Sequence, residues 1–127
     1  MAYLVKERTS AKYTITLKDQ AGVAIPKADV SSFKVTLLCL DDDAQTILNS
    51  RNASEQATAF SGNITMGATD GLVTFNMQPA DNAIVAGAPN KGIGYERHRL
   101  VFDVTLSNGT RLVYEDEIIV QNQSVTS

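Results

Sequence analysis

Few side chains in this sequence have a type and spacing that could do chemistry. His98 is the only histidine. It stands among Glu96, Arg97 and Arg99, on the parity of Leu100 and Phe102. A metal centre would need carboxylates beside it, and a hydrolytic triad would need a nucleophile and an orienting acid. The expectation is a histidine at the start of a strand, hydrogen-bonded to backbone. No Gly-x-Ser-x-Gly elbow, His-Glu-x-x-His pair or phosphate-cradling glycine loop is present. Asp41-Asp42-Asp43 follows a strand directly, which makes Asp41 and Asp43 the candidates for a hard cation such as Ca²⁺. The EF-hand spacing is missing, and adjacent like charges at a strand end read first as a solvated turn. No metal site is therefore expected. Cys39 alternates with Phe33, Val35 and Leu37, the pattern of a buried, inert thiol. Catalytic residues and cofactors are expected to be absent. Asn-x-Ser/Thr sequons at Asn52, Asn63, Asn108 and Asn122 carry no weight without a secretory signal.

The elements that would position these groups repeat every two residues, not every 3.6. Tyr13, Ile15 and Leu17 alternate with polar neighbours. So do Phe33, Val35, Leu37 and Cys39, in a run that turns apolar on both faces at Leu38 and Leu40 and predicts a strand covered twice. Val73, Phe75 and Met77 form a third run. His98 to Leu106 and Leu112 to Val120 form a fourth and fifth. Asn108-Gly109 between the last two suits a two-residue type I′ hairpin turn. That turn pairs residues whose numbers sum to about 217 and puts Arg99 near Ile118, with Glu117 diagonal to it. Glu115 and Glu117, on one face of the last strand, then serve cross-strand ion pairing with Arg97 and Arg99. Pro79-Ala80-Asp81-Asn82 reads as one helical turn. Residues 50–60 read as a short helix or a loop, and Gly87–Gly94 as a flexible loop. Strands without helical crossovers predict an antiparallel sandwich or barrel.

At 127 residues, with 43% hydrophobic and 20% charged side chains, the chain predicts a single domain over 1–127 with a core of its own. One cysteine excludes an internal disulfide framework and a multi-cysteine zinc site. A net charge of −3 argues against a surface that tracks nucleic-acid phosphates. No apolar run approaches the roughly 20 residues of a membrane-spanning helix, and Met1 to Lys6 does not read as a signal peptide. Neither nucleic acid nor membrane is an expected partner. Residues 1–10 read as an N-terminal arm, pairing as an edge strand on this domain or on a neighbouring chain. Residues 121–127 read as a polar tail.

The order of turns and strands resembles a small structural protein of tailed-bacteriophage particles. The residues that carry the likeness are Asp19 to Pro26, Val30 to Leu37, Thr46 to Asn52, Asp70 to Phe75 and Pro79 to Val85. His98 to Phe102 and the stretch from Gly109 through Glu117 to Asn122 complete it. The resemblance implies an all-β fold, a single antiparallel immunoglobulin-like β-sandwich. It also implies a non-enzymatic virion protein, assembled in the host bacterial cytoplasm in many symmetric copies. Its partners would be other phage structural proteins: major capsid, portal or adaptor, or tail. Decorating or cementing the capsid or the head-to-tail connector is the expected role. The alternatives are a tail or baseplate component and an immunoglobulin-like module that binds a host surface. Tyr3, Leu4, Val5, Pro89 and Tyr95 are the interface candidates, with the arm and the glycine loop ordering on assembly.

Overall fold

The computed structural model describes residues 3–6, 8–41, 44–56, 62–83 and 95–121. Among the described residues eight strands run in chain order: β1 (Tyr3–Lys6), β2 (Ala11–Thr16), β3 (Val30–Cys39), β4 (Ser54–Gln56), β5 (Ile64–Met66), β6 (Leu72–Met77), β7 (Tyr95–Leu106) and β8 (Arg111–Gln121). They form a five-stranded sheet, β1-β8-β7-β3-β4, and a three-stranded sheet, β2-β6-β5. Every pair is antiparallel except β1 with β8, which run parallel. The expected arm is thus this domain's own edge strand. Val5 lies opposite Val120 and is buried in the core.

The two-residue alternation places one face of each long strand between the sheets. The joint is aromatic. The Phe102 ring on β7 lies 5.1 Å from Phe33 on β3, 5.9 Å from Tyr13 on β2 and 6.4 Å from Phe75 on β6, centroid to centroid. These are tilted and edge-to-face contacts, worth about 0.5–1.5 kcal/mol each beyond area burial. The Tyr13 hydroxyl crosses to β8 and donates to Asp116 Oδ2 at 2.8 Å. One buried ring thereby ties the sheets through both dispersion and a hydrogen bond.

Three expectations change. The β7–β8 connection is not a two-residue turn. Leu106 N donates to Thr110 O and Gly109 N to Leu106 O, so Ser107, Asn108 and Gly109 form a three-residue loop. Only Gly109 there has positive φ, +89°, as a type I turn closed by a left-handed glycine requires. The register slips by one, and Arg99 faces Glu117 rather than Ile118. Next, β3 is not covered twice, because Thr36, Leu38 and Leu40 on its outer face are only half-buried. Finally, residues 54–56 of the ambiguous 50–60 stretch are strand, paired to Phe33–Val35. The turn at Pro79–Asn82 is a single 3-10 turn.

Candidate functional site

The chemistry-bearing side chains converge inside the sandwich, near the start of β7. Cys39, the last residue of β3, pairs directly with His98. Glu96 lies two residues before His98, so it projects from the same face of β7. All three are fully buried. One donor atom from each, a thiol sulfur, a carboxylate oxygen and an imidazole nitrogen, lies within 4.8 Å of the other two. His98 Nε2 is 2.6 Å from Glu96 Oε1, while His98 Nδ1 is buried without a hydrogen-bond partner. The expected backbone partner of His98 is therefore replaced by a carboxylate. On the other side of β7, Ile118 and Val120 of β8 face His98 and Glu96, which makes that wall apolar.

The sequence-derived candidates do not gather at one place. Asp41 is held by Arg97, whose backbone N donates at 2.6 Å and whose Nε and Nη2 donate at 3.0 and 2.8 Å. That hydrogen bond holds the Arg97 guanidinium above its ordinary pKa. Asp41 thus serves a strand-end ion pair, and Asp43 lies outside the described residues. Leu4 is 60% exposed on β1. Val5 belongs to the core and leaves the interface list. Tyr3 pairs its backbone with Ile118, and its side chain is not described. Tyr95 opens β7 half-buried. Pro89 and the rest of the Gly87–Gly94 loop lie outside the described residues, as do residues 122–127 of the tail. Arg97 goes to Asp41, and the hairpin's own ion pair is Arg111–Asp103, with Nη2 to Oδ2 at 2.9 Å. The Arg111 hydrogen bond holds the Asp103 carboxyl below its ordinary range.

A second buried polar group was not legible in the sequence. Asp81 is fully buried in the 3-10 turn. Its Oδ1 accepts from Arg51 Nε at 2.5 Å and Asn49 Nδ2 at 3.0 Å. Its Oδ2 accepts from Arg51 Nη2 at 3.2 Å and Gln78 N at 2.7 Å. The Arg51 guanidinium also lies 4.7 Å over the Phe75 ring. Each carboxylate oxygen accepts twice, so this is a clamp between the 49–51 segment and the β6–β7 connection. It leaves no lone pair for a ligand.

The strand order carries the fold assignment. Neighbours β8-β7-β3-β4 follow the order G-F-C-C′, and β2-β6-β5 follow B-E-D. This is an immunoglobulin-like β-sandwich. Antibody domains bridge strands B and F with a disulfide; here Tyr13 and Phe102 meet between the corresponding strands instead. Among solved structures, the chain is similar to murine CRIg, at 10% identity and TM-score 0.40 over 96% of this chain and 92% of that one. It is also similar to the first Ig-like domain of human CD48, at 13% identity and TM-score 0.39 over 96% and 82%. No protein-family model matches the chain, and no curated protein does.

Proposed function

We propose that this chain is a non-enzymatic structural protein of a tailed-bacteriophage particle, docked in many copies on the capsid lattice or the head-to-tail connector. The observation that carries this reading is the β1 edge. In the strand order β1 is the outermost strand of the larger sheet, and it presents Leu4 to solvent. An outer strand offers unpaired backbone groups to a neighbour, and an apolar side chain beside them adds desolvation energy. Repetition over a lattice lets each contact be modest. Two further features agree. His98 and Cys39, the groups with nucleophilic or acid–base capacity weighed above, are buried inside the sandwich. The ordered series of turn and strand motifs resembles that of tailed-phage particle proteins.

The test is assembly with Leu4→Glu. Particles are purified from cells that make either wild-type or variant chain, and copies per major capsid protein are counted by mass spectrometry. Wild type is expected at a fixed ratio set by particle symmetry, and the variant at least about tenfold lower, with an unchanged melting temperature. Wild-type chain left entirely in the soluble fraction would remove the reading. Equal incorporation of Leu4→Glu would move the interface away from β1.

A further inference from the structure

We infer that Cys39, Glu96 and His98 form a buried binding site for one divalent ion of the zinc class. The inference is independent of the docking surface. Three observations carry it. First, the donor set is mixed sulfur, nitrogen and oxygen, the set that borderline-soft ions take and that calcium and magnesium do not. Second, the geometry fits. A triangle with edges of 4.8 Å has its centre about 2.8 Å from each corner, so the observed limit on the donor separations puts a central ion at that distance or less. Zinc bonds of about 2.0–2.3 Å then need the donors drawn inward by up to about 0.5–0.8 Å, together with separation of the Glu96 and His98 donors. Third, the cluster has an unmet need. His98 Nδ1 is fully buried and has no hydrogen-bond partner, which is costly in a closed interior. Such an orphan calls for an ion or water that satisfies it or reorients the ring.

Charge balance points the same way. A thiolate from Cys39, a carboxylate from Glu96 and a neutral His98 bring two negative charges into a region with no exposure. One divalent ion cancels them, as a buried site requires. Uptake releases the Cys39 thiol proton to solvent. Three protein donors leave the fourth tetrahedral position for a water molecule. The ion would fasten β3 to β7 at the sheet end, in a chain whose lone cysteine excludes an internal disulfide.

The chain's composition makes the test direct. It has one Cys and one His, so a cobalt–thiolate charge-transfer band can arise only at Cys39. Tag-free full-length chain is unfolded with chelator and reductant, then refolded with Zn²⁺ or Co²⁺, because a closed site fills during folding. The expected results are one metal per chain by elemental analysis, a near-ultraviolet Co²⁺–thiolate band, and a melting temperature that rises with free zinc. Cys39→Ser should lose the band, and His98→Gln should weaken uptake at least tenfold. Wild-type chain that refolds with no charge-transfer band and no zinc-dependent melting shift overturns the inference without reference to any variant. Tight binding with no thiolate band would place the metal elsewhere and equally refute it.

Discussion

Asp81→Ala is the perturbation with the most determined consequence. The carboxylate is fully buried and receives four donors, two on each oxygen. Its removal leaves the Arg51 guanidinium, only 14% exposed, without its counter-charge. It also removes the acceptor of the Gln78 backbone N–H. Breaking a buried pair from one side costs about 3–5 kcal/mol, because the remaining charge is desolvated and unpaired. A domain of this size has about 5–15 kcal/mol in total. At a urea slope of about 1.5 kcal/mol/M, the unfolding midpoint should fall by about 2–3 M. Asp81→Asn keeps an acceptor and should lose less. The pair Arg51→Met with Asp81→Leu removes both charges together, so it should recover most of the loss even though it gives up the Arg51–Phe75 contact. Equilibrium unfolding followed by circular dichroism reads all three. A loss under about 1 kcal/mol in Asp81→Ala, or a double variant no better than the single, would show that the clamp does not carry the energy assigned to it.

Gly71→Ala should destabilise by more than about 1 kcal/mol in the same assay. Gly71 has φ +71°, and an added Cβ would collide with Leu17 O, whose own N–H donates to Gly71 O. Asp103 has a folded pKa below its unfolded one, so its contribution is present above the ordinary carboxylate range and lost as pH falls through the folded value. Wild type and Asp103→Asn should therefore differ slightly in urea midpoint near neutrality and converge at acid pH; a gap that widens on acidification would contradict the pairing. The effect is small because both partners are solvent-accessible. Hydrogen exchange of the free chain should find β1 amides that bond to β8 protected. Full-rate exchange across residues 3–6, with protection only in assembled particles, would restore the arm that orders on assembly.

What the sequence made legible followed from strand length. β3, β6, β7 and β8 have six residues or more, long enough for alternation to show, and the inward parity of Cys39, His98 and Asp116 could be read directly. β4 and β5 have three residues each, too few for any period, and Ser54-Glu55-Gln56 has no apolar residue to mark it. Asn108-Gly109 locates the hairpin, but the loop is one residue longer than the pair predicts, because Asn-Gly accommodates both turn forms and the choice lies in backbone geometry. The buried site was half visible. Cys39 and His98 each read as inward, but the β3–β7 register that brings them together is a long-range fact. Glu96 shares the inward parity of His98, but charged residues seldom occupy a core unpaired, so parity alone does not mark it as buried. Asp81 and Arg51 are 30 positions apart, with no local signal to join them.

The docking claim is tested most directly by a cryo-electron reconstruction of purified particles from cells that make the chain. The expected density is an immunoglobulin-like sandwich at symmetry-related positions on the shell or the connector, with β1 and Leu4 turned toward the neighbouring subunit. Particles whose density is fully explained without this sandwich would contradict it.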